Sequence, residues 1–439
     1  MNIDFKDLER QIAERGKIRL LENGLALISE HVPGSGLVRG RMTLCVGAAY
    51  EAPEDHGIMH FLEHMRFGES RRYPVRDERM LLSAVIGLKI DANTAPFNIT
   101  YPVSGGNDSG YMLQGNFLQG LRIVTDMVFF PSLTEESRRR ELAVVQQELQ
   151  SHERLIATDP FHDNSRAVEQ RMYGSNPAFW KRSSFGSAAS IERFTVEQLR
   201  AYHERFFVGN NTLVEIVGDL NGTANVASEL EDVLREVPSG RTAEPLVVYP
   251  ERPYEGREAL FLPSPTPSHA NVEIYFQVLP AHSPENPTMM LLSYILGNGP
   301  NSLLFRDFRE MKGLDYSVKS TFDGHAKTGF LKITYSVASE RLDESLGVVD
   351  ASIAKLQQGA FNDALVDAFK AAHLPSLLAR LQTPGWVKDE LTERYHVARF
   401  GKESTYLQRL RTALNLTKQD VVKTANEALG EDRLIVVVK

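Results

Sequence analysis

Three observations predict an α+β fold built as two similar α+β halves. The chain has 439 residues, more than one ordinary core accommodates. A helix–turn–strand pattern closes each half, "TVEQLRAYHERFFVGNNTLVEIV" at 195–217 and "TKQDVVKTANEALGEDRLIVVV" at 417–438. Each copy opens on a threonine able to cap a helix, Thr195 or Thr417, with Gln198 or Asp420 three residues on. The third observation is a stretch rich in Pro, Gly and charge, residues 235–258, placed between the copies. The expected domains are therefore 1–234 and 259–439, joined by a linker at 235–258.

In the first half, "GLALISEHV" and "LVRGRMTLCVGAAYE" read as strands flanking the turn "PGSG". A helix follows over "GIMHFLEHM", and "KIDANTAPFNITYPVSG" reads as extended chain. A long helix is predicted from Leu133 to about Ile156, with Ser132 and Glu135 as its capping pair. In the second half the alternation restarts at "HANVEIYFQVL".

Composition narrows the function. With 42% hydrophobic and 24% charged residues the chain reads as globular rather than disordered. A net charge of −8 argues against a general nucleic-acid binder. No apolar run approaches the roughly 20 residues of a membrane-spanning helix. The charged start "MNIDFKDLERQIAERGK" lacks the apolar centre of a signal peptide, so the expected location is the cytoplasm, without a membrane partner. Cys45 is the only cysteine, which rules out an internal disulfide and a thiolate metal cluster.

The chemistry is concentrated in "HFLEH". Residues three and four apart share a helix face, so His60, Glu63 and His64 stand together. Two imidazoles one turn apart can hold one zinc ion, and a carboxylate beside them can take a proton from an activated water. With 12 histidines in the chain, H-x-x-E-H arises by chance in about one sequence in forty. A catalytic zinc needs a third protein ligand. Glu141 and Glu148 flank the apolar stripe Leu142, Val145 and Leu149 of the long helix, and spacing alone does not choose between them.

These residues resemble the M16 (pitrilysin or insulinase-like) zinc peptidases, which carry the inverted motif H-x-x-E-H. The form "HFLEHM.F" is similar to that of mitochondrial processing peptidase and its bacterial relatives. In that family the third ligand is a glutamate in a segment like "ER.VV..E", some 74 to 76 residues beyond the second histidine. Here "ELAVVQQE" matches, and 76 residues separate His64 from Glu141, so the resemblance implies Glu141 as ligand and Glu148 as a trailing glutamate. In the second half "LLFRDFREMKGLDYSVKS" resembles the family's "RLF.E.RE..GLAYSV", which implies Arg309 and Tyr316 as substrate contacts.

Two departures stand out. Asp91-Ala92-Asn93-Thr94 replaces the family's "NA.T", and Ser302-Leu303-Leu304-Phe305 lacks the arginine of "SSRLF". The resemblance implies a duplicated LuxS/MPP-like metallohydrolase domain and a zinc-dependent endopeptidase with one Zn²⁺ per chain. Unfolded peptide would be its substrate, added as a strand at the edge near residues 90–101, with Glu63 as general base. Four such domains enclose the substrate in this family, which implies a homodimer or a heterodimer with a related M16 chain. The alternative is a non-catalytic structural subunit of such a pair.

Overall fold

The computed structural model describes residues 3–106, 110–158, 168, 171–172, 183–220, 226–244, 254–263, 268–310, 317–324, 328–401 and 404–439. The chain divides into two compact units, neither continuous in sequence. The first comprises Met1–Thr158, Ser175–Val248 and Thr383–Thr392; the second comprises Asp159–Gly174, Tyr249–Gln382 and Glu393–Lys439.

The first unit is built on strands β1 (Gly16–Leu20), β2 (Ala26–His31), β3 (Leu37–Leu44), β4 (Asn93–Thr94), β5 (Ile99–Val103), β6 (Met112–Leu113) and β7 (Thr212–Gly218). They form one sheet in the order β1-β2-β7-β3-β5-β4, with β6 paired to β3. Its helices are α1 (Phe5–Arg15), α2 (Ile58–Met65), α3 (Arg76–Val85), α4 (Gln114–Phe129), α5 (Glu135–Thr158), α6 (Ala188–Arg193), α7 (Val196–Phe206) and α8 (Val226–Arg235).

The second unit carries β8 (Arg257–Leu262), β9 (His269–Val278), β10 (Lys319–Gly324), β11 (Gly329–Ala338) and β12 (Arg433–Val438), in the order β10-β11-β9-β12-β8. Its helices are α9 (Asn286–Gly297), α10 (Leu303–Glu310), α11 (Leu342–Gln357), α12 (Ala364–Arg380), most of α13 (Trp386–Phe400), α14 (Tyr406–Asn415) and α15 (Lys418–Ala428). Helices α9, α11 and α15 pack on the β9, β11 and β12 face through Ile274, Phe276, Leu292, Ile295, Leu331, Val349 and Val421. Among the described residues no helix is long and apolar enough to cross a membrane.

The pairing pattern of the two sheets is the same. β2 runs parallel to β7, and β7-β3, β3-β5 and β5-β4 are antiparallel. β8 runs parallel to β12, and β12-β9, β9-β11 and β11-β10 are antiparallel. The capping boxes expected of the repeated segment are formed in both copies. Thr195 Oγ1 accepts the Gln198 amide at 3.2 Å, and Thr417 Oγ1 accepts the Asp420 amide at 3.3 Å. The strand closing each copy, β7 or β12, is buried along its whole length.

Three expectations change in detail. The long helix starts at Glu135, and its capping pair is Thr134 and Ser137 rather than Ser132 and Glu135. The Ser132 amide is instead tied to the Glu69 carbonyl, and Glu135 pairs with Arg138 and Arg139. The segment read as a linker already contains the start of β8 at Arg257, while its residues 245–253 lie outside the described ones. Residues 383–392, late in the sequence, belong to the first unit.

Charge pairing accounts for that last placement. Glu215 of β7 is buried and pairs with Arg41 at 2.6 Å and Lys388 at 3.1 Å, and accepts from Thr392 at 2.7 Å. The Lys388 amide donates to Glu30 at 3.0 Å, and Trp386 and Val387 are buried beside it. Burial opposes the charge of Glu215, yet Lys388, Arg41 and Thr392 hold its carboxyl down at about 2. A depressed carboxyl stabilises the fold above its ordinary value of 4.5 and loses that contribution as pH falls towards about 2. Glu215→Gln should therefore be less stable at pH 7, by on the order of 3 kcal/mol, and melt at a lower temperature. Its melting temperature should also vary less than the wild type's between pH 4.5 and 2, and equal slopes for the two proteins would refute the pairing.

Candidate metal centre

Helix α2 has an unusual brief, since it must carry His60, Glu63 and His64 through an apolar interior. Ile58, Met59, Phe61, Leu62 and Met65 are fully buried around them. Its amino terminus begins at Gly57, whose φ of 98° favours glycine, and a Cβ there would lie 2.7 Å from Gly186 Cα. The first amides are satisfied by a side chain from outside the helix. Glu51 accepts from the amides of Gly57 and Met59, each at 2.9 Å, placing a carboxylate at the positive end of the helix. The same carboxylate contacts His56 Nδ1 at 3.0 Å, which gives that histidine a structural place.

At the other end Arg66 is wholly buried. It donates to the carbonyls of Leu62 (2.6 Å) and Val128 (3.1 Å) and stacks its guanidinium 3.3 Å from the Phe207 ring centroid. Arg79, also buried, donates to the carbonyls of Phe67 and Gly68 just beyond.

The histidine rings of α2 lie 4.7 Å apart, centroid to centroid, with their planes at 78°. A carboxylate from α5 meets both, since Glu148 Oε2 is 3.6 Å from His60 Nε2 and 3.3 Å from His64 Nε2. Burial, with His64 as a second influence, lowers the pKa of His60 to about 3, so this ring is neutral at physiological pH. Its approach to Glu148 is therefore not an ion pair, and 3.6 Å is too long for a hydrogen bond.

Such an arrangement suits a divalent cation. Ligands about 2.0–2.1 Å from a tetrahedral zinc stand roughly 3.4 Å from one another. His60, His64 and Glu148 offer one donor atom each, all within 4.8 Å of one another, and two imidazoles with a carboxylate are a zinc donor set. His60 and His64 are buried or nearly so, whereas the Glu148 side chain is 46% exposed, so the cluster opens towards solvent on that side.

Glu141 does not join them. It is buried two turns earlier on α5, where it accepts from Arg140 Nε at 3.1 Å, and Arg140 also pairs with Glu69. Two helical turns separate Glu141 from Glu148 by about 10 Å along the axis, so only one of them can reach the histidines. Among the described residues it is Glu148, and not the expected Glu141, that stands with the two histidines.

Glu63 is buried beside the histidines, and burial raises its pKa above the ordinary carboxylate value. The hydroxyl of Thr94 donates to its Oε2, which with His64 and Arg66 partly offsets that rise. Phe185 packs edge-on against His60, 4.7 Å between centroids, and lies 4.8 Å from the ring of His152, one turn beyond Glu148. His60 Nδ1 is buried without a hydrogen-bond partner among the described residues, so packing against Phe185 and His64 orients this ring. In the second unit Arg309 is exposed near the end of α10, and Tyr316 lies outside the described residues.

Sequence reasoning missed Glu51, Arg66, Thr94 and Phe185 as supports of the cluster. Each acts across a tertiary contact, and no local spacing marks it.

Comparison with known proteins agrees with this construction. Residues 26–170 match the family model described as insulinase (peptidase family M16), and residues 193–372 match the one described as the peptidase M16 inactive domain. The uncharacterized zinc protease YmxG of Bacillus subtilis is 24% identical over 362 residues, covering 82% of this chain and 83% of the relative. An uncharacterized zinc protease of Rickettsia felis is 23% identical, covering 94% of this chain and 95% of the relative. Among solved structures, a protease from Helicobacter pylori superposes with a TM-score of 0.76 at 18% identity, covering 97% of this chain and 99% of that one. The periplasmic protease PqqL of Escherichia coli also gives 0.76, at 16% identity, and this chain spans 97% of itself but 48% of PqqL. With both of its halves matched by models of one family, and with the fold shared, this chain belongs to peptidase family M16.

Proposed function

We propose that the chain is a zinc-dependent endopeptidase that cleaves unfolded peptides. The observation that carries this reading is the convergence of His60 Nε2, His64 Nε2 and Glu148 Oε2 beside a buried carboxylate, Glu63. His60, His64 and Glu148 would hold one Zn²⁺ per chain. When bound there, zinc supplies Lewis-acid polarisation to a water molecule and to the scissile carbonyl.

The remaining work falls to side chains of this protein. The Glu63 carboxylate takes a proton from the attacking water. The water oxygen bonds to the carbonyl carbon, and the C–N bond breaks with its electron pair leaving on nitrogen. Glu63 then delivers the proton to that nitrogen. In the metal-free protein burial raises the pKa of Glu63 above the ordinary carboxylate value. Arg309 and Tyr316 donate hydrogen bonds towards the substrate carbonyl, whose oxygen gains charge during attack.

Strand β4 is the last in its sheet, so its outer edge offers backbone groups to which an extended peptide can add without regard to sequence. The zinc donors belong to the first unit and Arg309 to the second. The description of the second half as an inactive domain supports such a division of labour. That the chain spans about half of PqqL supports a pair of chains, two copies or this chain with a related M16 partner, as the working assembly. We assign Arg309 and Tyr316 to the site of the partner chain in that pair.

Metal analysis separates the ligands from the base. His60→Ala, His64→Ala and Glu148→Gln should each lose most of the zinc, while Glu141→Gln should keep close to one per chain. Retention by Glu148→Gln with loss by Glu141→Gln would reverse the ligand assignment. Glu63→Gln should bind zinc normally and lose cleavage of an unstructured peptide by at least about 100-fold. A wild-type protein that binds zinc yet cleaves no peptide would favour a non-catalytic structural subunit.

Assembly is tested by complementation. Glu63→Gln and Arg309→Ala/Tyr316→Phe chains, each inactive alone, are unfolded and refolded together. Random pairing makes half the dimers mixed, each with one complete site of two, so about a quarter of wild-type activity should return. No recovery, with mixed dimers confirmed by mass, would rule out sites shared between chains.

A further inference from the structure

Glu63 has two carboxylate oxygens, and the fold treats them differently. Thr94 Oγ1 donates to Oε2, the one hydrogen bond this carboxylate makes among the described residues. Thr94 belongs to edge strand β4, and its registry with Ile99, and of Ile99 with Leu44, places these three on one face of the sheet. The frame around it is closely tied. The Ala95 amide bonds to the Asn98 carbonyl at 2.8 Å, and the amides of Ala48 and Ala49 bond to the carbonyls of Ala95 and Pro96 at 3.3 and 2.8 Å. Gly47 permits that approach, because a Cβ there would lie 2.0 Å from the Ala95 carbonyl oxygen. Four residues beyond Gly47, Glu51 caps α2. The turn after β4 and the amino terminus of α2 are thus linked through residues 47–51, and the Thr94 hydroxyl closes the frame at Glu63.

We propose that Thr94 is the positioning residue of the general base, an inference that rests on the peptidase reading above. By holding Oε2, its hydroxyl leaves Oε1 to accept the proton of the attacking water and to return it to the leaving nitrogen. Because the hydroxyl is carried by the strand to which substrate would add, a peptide docked on β4 and the carboxylate that serves it are both oriented by that strand, the carboxylate through Thr94. The hydroxyl is needed for orientation and not for holding metal or peptide, which separates its role from those of His60, His64 and Glu148.

Thr94→Val preserves shape and removes the donor, whereas Thr94→Ser keeps the donor. Both are compared with wild type for zinc content, for kcat and KM on an unstructured peptide, and for melting temperature. Peptide affinity is also measured by calorimetry in Glu63→Gln with and without Thr94→Val. The expected result is wild-type zinc content in both variants and KM within about 3-fold. For Thr94→Val kcat should fall by about 10–100-fold, the cost of a misplaced reacting group, while Thr94→Ser should stay within about 3-fold of wild type. Calorimetry should give equal affinities.

An unchanged kcat in Thr94→Val, a loss confined to KM, or equal losses in the valine and serine variants would each overturn the proposal. If Thr94→Val fails to fold, Thr94→Ala takes its place in the same comparison. Wild-type protein that holds zinc and cleaves nothing would overturn the peptidase reading and this inference together, whereas an active wild type with an active Thr94→Val overturns this inference alone.

Discussion

The constraint on which the first unit depends is the burial of helix α2 with three polar side chains on one face. Taking two imidazoles and a carboxylate out of water is costly unless something replaces the lost solvation. For His60 the cost is avoided by neutrality, since burial drives its pKa to about 3. Glu51 at one end of the helix and Arg66 at the other satisfy the backbone groups that a short buried helix leaves open. Glu148 arrives from α5 as a third donor and leaves part of the cluster open to solvent. What remains is a group of three donor atoms within 4.8 Å of one another, a spacing that suits a divalent cation.

Duplication makes the asymmetry of the molecule informative. Both sheets repeat one pairing pattern, and both end in a capped helix followed by a fully buried strand. The second unit repeats the scaffold, and the sequence after residue 64 contains no second H-x-x-E-H. The second unit buries Leu291, Leu292, Ile295 and Leu296 on α9. The first buries His60 and Glu63 on α2, and the cost of that burial is met by contacts drawn from several elements, including α5, the chain at 47–51 and the β4 edge.

Much of this was legible in the sequence, for a physical reason. The repeat was visible because capping boxes and amphipathic helices are local, so Thr195 and Thr417 announce themselves within four residues. The pair His60 and His64 was visible because a helix brings i and i+4 together whatever surrounds it. The third donor was not, since Glu141 and Glu148 occupy equivalent lines of one helix and differ only in where α5 passes α2. That crossing depends on the chain between residues 66 and 134, and the spacing usual in the family points to Glu141, one of the two, whereas the structure brings Glu148 to the histidines. Thr94 and Glu51 were hidden for the same reason, as each meets α2 from a separate element. The placement of residues 383–392 in the first unit was hidden as well, because it follows from Lys388 and Thr392 meeting Glu215 across more than 170 residues of sequence.

The central claim is that one metal ion joins His60, His64 and Glu148. Crystals grown with zinc, with diffraction recorded on both sides of the zinc absorption edge, test it most directly. The account predicts one anomalous peak per chain, at about 2.0–2.2 Å from His60 Nε2, His64 Nε2 and a carboxylate oxygen of Glu148, with Glu141 still bound to Arg140. A peak coordinated by Glu141, or zinc bound elsewhere with the two histidines unliganded, would contradict it.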